Sequence, residues 1–337
     1  MGYKIGSFNV RNLGLSALGN ERDLRLIAEI IKREQFDVVA LQEVLSEGKA
    51  FTNVNSKWTK KSIMMELGKD WDFQWADVEA ENDRRHEGYA FLWNKKRLRL
   101  ATTKLVDGEI RTFNPRVCRM NKEEMIRQPY YARFTPQGKL GGSNFEIRLI
   151  CVHTYYGKDT KEDRERRQHE IDVLLKDIYP QVSDRVYKDQ YPAYTILLGD
   201  YNVELRRNWH SDLMRNKEPA YLVADEKDVV VSKKWNNRRI KTVQDQLTTL
   251  KTNVPENEQD QLTALKSNIS PNGQEQYATR GYANNYDHFS YEESRFEDVH
   301  MKVRRVDAVR KYCGDSFEKY YKTVSDHIPI MMEIDLK

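Results

Sequence analysis

The sequence predicts an α/β protein with a layered sheet, on three observations. Residues 3–10, then Leu24, Ile27, Ala28 and Ile31 at helical spacing, then residues 37–41 read as strand, amphipathic helix and strand, the alternation that layers helices on a sheet. The run Ile196-Leu197-Leu198-Gly199-Asp200-Tyr201-Asn202 opens as a strand apolar on both faces, which suits a sheet covered on both sides. It then passes through a glycine, which permits a tight turn, to a carboxylate and a carboxamide. Three other apolar strands of the chain stop in the same way, on an acid, an amide or an imidazole.

Each element has a local reason. The first strand ends at Phe8-Asn9-Val10-Arg11-Asn12, and the helix after it takes Asn20 as its cap, with Glu21 and Asp23 in the first turn. The strand at 37–41 ends at Gln42-Glu43. Residues 46–86 are polar, with a helix expected around 61–69, and Glu87 opens the aromatic strand Gly88-Tyr89-Ala90-Phe91-Leu92-Trp93. Residues 95–127 are basic and irregular. Pro129 restricts what precedes it, and a strand is expected near 130–134. A turn with Gly138, Gly141 and Gly142 leads to a strand over 145–152 that terminates at His153-Thr154. Ile171, Leu174, Leu175 and Ile178 mark one face of a helix over 161–178. The chain closes with Tyr286-Asp287-His288-Phe289, a polar helical stretch, and Val324-Ser325-Asp326-His327-Ile328-Pro329-Ile330 leading into a last strand.

The least regular and most polar stretch is 203–285. It holds a tandem near-repeat, 243–257 against 258–272, and two copies are too few for a solenoid. A local duplication in a surface excursion explains it; the sharper alternative is a flap that contacts substrate or a regulatory protein partner. No linker is visible, so the expected organisation is one domain over 1–337 with a polar insertion at about 205–285.

With 56 Lys and Arg against 52 Asp and Glu, the net charge of +4 permits a polyanionic partner without requiring one. Basic residues cluster at Lys95-Lys96-Arg97 with Arg99, at Arg206-Arg207, at Lys233-Lys234 with Arg238-Arg239 and at Arg304-Arg305; most such runs are solvated faces. Cys118, Cys151 and Cys313 are odd in number and widely spaced, without a CxxC pair, zinc spacing or disulfide framework, which points to a reducing compartment. No apolar run approaches a membrane span. Residue 3 enters a strand without a leader, and Gly6 stands where myristoylation after Met1-Gly2 needs Ser or Thr. The expected location is the cytoplasm, or outside the cell had a signal been removed.

The strand ends collect Asn9, Glu43, Glu87, His153, Asp200 with Asn202, Asp287, and Asp326 with His327. Each alone has an ordinary structural explanation; together at one sheet edge they make a site. Oxygen donors without cysteine favour a hard ion, Mg²⁺ or Mn²⁺. Histidines beside carboxylates suit an imidazolium facing an anionic transition state. That combination fits phosphate ester hydrolysis, where positioning and charge neutralisation are the need. There is no Gly-rich phosphate cradle, serine triad motif or HExxH.

In order, Phe8-Asn9-Val10-Arg11, Leu41-Gln42-Glu43-Val44, Val152-His153-Thr154, Leu198-Gly199-Asp200-Tyr201-Asn202, Tyr286-Asp287-His288 and Ser325-Asp326-His327-Ile328-Pro329 resemble the motif set of the endonuclease/exonuclease/phosphatase superfamily, in particular its deoxyribonuclease I-like branch. The resemblance runs from residue 3 to 335, with 46–86 and 205–285 poorly matched. It implies a four-layered α/β sandwich, two packed mixed β-sheets flanked by helices. It implies a divalent ion on Glu43, with Asn9 and Asp326 close to it, and Asp200 orienting or deprotonating the attacking water, helped by Asn202. It implies His153, steadied by Glu87, and His327, paired with Asp287, flanking the scissile phosphate. Arg11 and Arg127, the latter in the Arg-x-Pro stretch Arg127-Gln128-Pro129, would grip backbone phosphates. The expected activity is a metal-dependent nuclease on DNA, most simply an endonuclease. The alternatives are a phosphatase on a small phosphoester, such as an inositol phosphate or a phospholipid head group, and a catalytically dead binding module. Three features depart from the digestive nucleases of that branch: their disulfides have no counterpart, Arg85 stands where they place an aromatic residue in the minor groove, and Leu45 replaces an arginine.

Overall fold

The computed structural model describes residues 2–14, 22–45, 62–78, 87–104, 108–119, 124–137, 145–158, 160–186, 192–203, 220–222 and 286–336. In chain order the elements are β1 (Gly2–Leu13), α1 (Leu24–Arg33), β2 (Val38–Leu45), α2 (Ile63–Leu67), β3 (Trp71–Asp77), β4 (Glu87–Asn94), β5 (Leu98–Leu100), β6 (Thr102–Lys104), β7 (Ile110–Thr112), β8 (Arg116–Val117), β9 (Tyr130–Pro136), β10 (Glu146–His153) and α3 (Lys161–Val173). A π-helical turn, Leu174–Ile178, joins α3 to α4 (Tyr179–Ser183). Then come β11 (Ala193–Asp200), β12 (Ala220–Leu222), β13 (Asp287–Tyr291), β14 (Val299–Arg305), α5 (Ala308–Cys313), α6 (Phe317–Thr323) and β15 (Ile330–Leu336).

The strands form two large mixed sheets. The first has the order β14-β15-β1-β2-β4-β3, and the second β12-β13-β11-β10-β9-β5 with β8 also on β9. In each, one central pair is parallel, β1 with β2 and β10 with β11. Strand alternation assigns every residue to a layer. Val38 and Ala40 of β2, Ile147, Leu149 and Cys151 of β10, and Ile196 and Leu198 of β11 share one core between the sheets. Their neighbours Val39 and Leu41 join α1, α5 and α6 in a second core. Ile150, Val152 and Leu197 join Ile171, Leu174, Leu175 and Ile178 in a third. Helices, sheet, sheet, helices: this is the expected four-layered sandwich. The apolar strands lack alternation because both of their faces are covered.

Several local expectations are corrected. The cap of α1 is Asp23, whose Oδ1 accepts from Leu26 N at 3.0 Å, one turn later than the Asn20 reading; Asn20 lies outside the described residues. The stretch after Phe289 is not simply helical, because Val299–Arg305 forms edge strand β14 against β15. Its alternation, Val299, Met301 and Val303 toward the core between the sheets and His300, Lys302 and Arg304 away from it, is that of a strand with one face covered. The basic stretch 95–127 contributes four short strands, β5 to β8. Gly199 makes no turn: it lies inside β11 at φ +147, and a Cβ there would sit 1.9 Å from Val152 O. Of the insertion at 205–285, only Ala220–Leu222 is described, and the near-repeat 243–272 lies outside the described residues.

Two members of the described basic clusters serve the scaffold. Arg97 pairs with Asp37 at 2.8 Å and covers the Tyr3 ring, and Arg304 reaches Glu333 and Glu34. On the outer face of the second sheet, Glu146 bridges Arg133 and Arg148, and Arg148 Nη1 donates to Val182 O at 2.6 Å, tying α4 down.

Candidate active site

The same alternation that builds the inter-sheet core carries it to the edge as a polar cluster. Asn9 lies an even number of residues from Tyr3 and Ile5, Glu87 from Tyr89, His153 from Cys151, Asp200 from Leu198, and Asp287 from Phe289. All five therefore point into the gap between the sheets, where the apolar filling stops. Three come from one sheet edge to meet two from the other. The strand-end picture needs adjusting: Asn9 and Glu43 lie within strands that run on to Leu13 and Leu45, and Glu87 and Asp287 open theirs.

Glu43 has the wrong parity and reaches the cluster by a bulge. The register of β2 with β4 shifts between Leu41 and Val44, and Glu43 adopts φ +57, so the strand is re-aimed at the site. Arg11, Asn12 and Asn202 also have positive φ, at 45, 55 and 51. Non-glycine residues held in this region cluster at functional sites.

Asn9 is the hub. Its Nδ2 donates to Glu43 Oε1 at 2.9 Å and to Asp200 Oδ2 at 3.0 Å, and its Oδ1 accepts from Arg11 N at 2.9 Å. Glu43 Oε2 also accepts from Asn12 N at 3.0 Å. Asp200 Oδ2 is faced by two imidazoles, His327 Nε2 at 3.4 Å and His153 Nε2 at 3.7 Å, and Asp200 Oδ1 accepts from Asn202 N at 2.8 Å. The Asn202 carboxamide donates to Thr154 O at 2.8 Å, so it holds the β10 and β11 ends together. His327 Nδ1 lies 2.8 Å from Asp287 Oδ2.

The two histidines differ in electrostatic setting. Burial pushes His153 well below the usual histidine value, and the nearby Arg127 and His327 cations push it further. Burial opposes protonation of His327 too, but Asp287 and Asp200 overcome it and hold the imidazolium well above the usual value. Burial raises Asp200 to about 6, with His327 drawing it back and Asp287 adding to the rise. Burial and the neighbouring Asp326 also raise Glu43.

Glu87 sits 3.6 Å from His153 Nδ1 but 2.9 Å from Arg127 Nε, so its closer partner is the arginine. Arg127 Nη1 makes one further contact, with Thr154 O at 3.4 Å. Arg11 is engaged as well: Nη2 donates to Tyr321 Oη at 2.7 Å, Nη1 to Tyr321 O at 3.2 Å, Nε faces Asp326 at 3.5 Å, and the guanidinium stacks on the Tyr321 ring. A guanidinium has five N–H donors, so both arginines keep donors for a ligand.

Among the described residues no three His, Cys, Asp or Glu side chains close into a ready-made metal cage. Mg²⁺ does not require one, since it binds through one or two carboxylates plus water and substrate oxygens. The donors here fit that pattern. Asp326 Oδ1 is buried without a hydrogen-bond partner among the described residues, and Asp326 is close enough to raise the Glu43 carboxyl, a repulsion that a bound cation would relieve.

Four contributors take no role from the sequence motifs, although Gln42 and Ser325 lie within them. Tyr89 Oη accepts from His153 N at 3.0 Å across the two sheets, and Ser325 Oγ donates to Asn9 O at 2.7 Å. Gln42 Nε2 donates to Cys151 Sγ at 3.1 Å, also between sheets. Glu170, fully buried on α3, accepts from Ile126 N at 2.8 Å and Tyr155 N at 2.7 Å, pinning the loops that carry Arg127 and follow His153. Inward parity marks Tyr89 and Gln42. For Glu170 the signal is its place beside Ile171 on the buried face of α3.

A family model described as the Endonuclease/Exonuclease/phosphatase family matches residues 6–327. The chain belongs to the endonuclease/exonuclease/phosphatase family. Its members hydrolyse phosphoester bonds, and the two-sheet sandwich is the fold of its solved structures. A family protein from Bacteroides vulgatus is 14% identical, with 100% of each chain covered and a TM-score of 0.51. Truncated Caenorhabditis elegans TDP2 is 13% identical over 99% of this chain and 97% of its own, with a TM-score of 0.50. D. rerio TDP2 complexed with single strand DNA product is 14% identical over 99% of both chains, also at 0.50. These likenesses concern the fold. No curated protein matches the chain.

Proposed function

We propose that this chain is a divalent-metal-dependent nuclease that hydrolyses phosphodiester bonds in DNA, most simply as an endonuclease, in a reducing compartment such as the cytoplasm. One observation carries the reading: Asp200 Oδ2 is shared by the Asn9 amide at 3.0 Å and by the Nε2 atoms of His327 and His153 at 3.4 and 3.7 Å. A carboxylate so placed can orient a water and take its proton, while the flanking imidazoles stabilise a pentavalent phosphorus centre. A new O–P bond forms from that water, the ester P–O bond breaks, and the leaving oxygen takes a proton from His327, which Asp287 holds in place.

Glu43 and Asp326, with Asn9 orienting Glu43, would hold Mg²⁺ or Mn²⁺, which supplies charge neutralisation to the phosphate oxygens. Arg11 and Arg127, with unused N–H donors at the rim, suit successive phosphates of a strand better than one small phosphoester. A protein of the same fold holding single strand DNA product supports a nucleic-acid substrate.

The test is a substrate panel of supercoiled plasmid, single-stranded oligonucleotide, RNA and a phosphoinositide, each with Mg²⁺ or Mn²⁺. Plasmid nicking that disappears in EDTA is expected. His153→Ala and His327→Ala should each lower the rate by about a hundredfold or more, the cost of one preorganised transition-state contact. Phosphoinositide turnover with intact nucleic acid would move the function to the small-phosphoester class.

A further inference from the structure

Away from the catalytic edge, on the outer face of the second sheet, a cavity of about 530 Å³ opens between β8 and the end of α4. Its rim carries three guanidiniums, Arg116, Arg119 and Arg185, and Val117, Val182 and Tyr131 contribute apolar lining. Among the described residues no carboxylate lines it. The nearest acid in sequence, Asp184, is bound to Arg295, and Arg116 and Arg119 make no ion pair among the described residues. Arg116 instead stacks on Phe113, 5.0 Å from its ring centre.

Like charges gathered around a concavity with a low-dielectric wall focus a positive potential into it. The volume is that of a small-molecule site, and planar guanidinium forks match phosphate oxygens. The apolar lining favours an anion that brings a flat or apolar body rather than a bare ion.

We propose that this cavity binds a nucleotide, with Arg116, Arg119 and Arg185 on its phosphate and the apolar lining against its base or sugar. The source of that nucleotide is either a strand passing the catalytic edge or a free mononucleotide. The strand-borne form rests on the nuclease reading, and the path for it is short. Residues 116 and 117 pair with 131 and 130, Cys118 N donates to Pro129 O at 2.7 Å, and Arg127 at the catalytic edge lies just upstream of Pro129. A strand gripped by Arg127 has this flank as its continuation.

The experiment compares the full chain with an Arg116→Gln/Arg119→Gln double variant. Both residues are exposed, so an unchanged thermal unfolding curve is expected to accompany any loss of binding. Binding is read in EDTA, by anisotropy of a labelled single-stranded oligonucleotide across salt concentrations and by calorimetry with a deoxynucleoside monophosphate. A strand in the cavity predicts that the double variant binds the oligonucleotide about tenfold or more weakly. Its log affinity against log salt should flatten by about 1.4, two contacts at about 0.7 each for a single strand. A free-nucleotide site predicts the same loss for the monophosphate with the oligonucleotide unaffected. Either result supports the cavity as a nucleotide site. Wild-type and variant affinities within twofold for both probes, or no wild-type binding of either, would overturn it. Plasmid cleavage by the same two proteins with Mg²⁺ reports separately on the catalytic proposal.

Discussion

Removing the Asn9 amide tests the architecture of the site most directly. In Asn9→Ala, Glu43 Oε1 and Asp200 Oδ2 lose the donor they share at 2.9 and 3.0 Å, and Arg11 N loses its acceptor. Hydrogen bonds to charged groups contribute about 1.5–3 kcal/mol each. Two give roughly 3–6 kcal/mol if both carboxylates stay ionised, and water entering the space left by the carboxamide returns part of that. A net loss of about 2–4 kcal/mol in unfolding free energy follows, measured by urea denaturation in EDTA. The catalytic loss is separate: Asp200 and Glu43 no longer share a fixed spacing, and about 3 kcal/mol of lost transition-state stabilisation corresponds to a rate lower by about a hundredfold. The assay is single-turnover cleavage of a labelled duplex at saturating Mg²⁺. Changes below about 0.5 kcal/mol in stability and about twofold in rate would refute the idea that this amide couples the two carboxylates.

Three further outcomes follow. Gly199→Ala should cost more than about 2 kcal/mol or abolish folding, because φ +147 disfavours a side chain and the new Cβ would meet Val152 O; a thermal scan reads it, and an unchanged midpoint would count against the geometry. In the metal-free protein, Asp200 has its carboxyl raised from 3.8 to about 6, so its contribution to stability is fully present below about pH 4 and is lost as pH rises through about 6. The stability difference between wild type and Asp200→Asn should therefore move in favour of the variant across that window, and a flat difference would refute it. Glu170→Ala leaves the N–H groups of Ile126 and Tyr155 without their acceptor, for a loss of about 2–4 kcal/mol in urea denaturation and faster proteolysis of the loops at 125–128 and 154–158; unaltered unfolding and protection would show that these loops are held by other means.

Much of this site was legible because its polar residues interrupt apolar strands in a recognisable order, which picked out Asn9, Glu87, His153, Asp200 and Asp287. Which parity faces the other sheet was not legible, because both faces of β10 and β11 are apolar and only the packed cores tell them apart. Glu43 could not be sorted by parity at all. Its bulge depends on the pairing of β2 with β4, a non-local event that the run Leu41-Gln42-Glu43-Val44 does not announce. β14, by contrast, is legible in its own residues: Val299, Met301 and Val303 alternate with His300, Lys302 and Arg304 and face the core between the sheets. Ligand types and motif order located Arg11 and Arg127, but their partners Tyr321 and Glu87 are distant in sequence and had to be seen.

The seam between the sheets has a consequence for regulation and for failure. Neither half of the sandwich owns a complete set of working groups, and the cross-links at the rim, among them Tyr89 to His153, Gln42 to Cys151, Asn9 to Asp200 and His327 to Asp287, are polar. A small sliding of one half past the other would leave secondary structure and both flanking cores whole while pulling the reactive groups out of alignment. Whatever grips the two halves together, a bound substrate above all, thereby also tightens the catalyst, and mild loosening should silence the protein well before it melts.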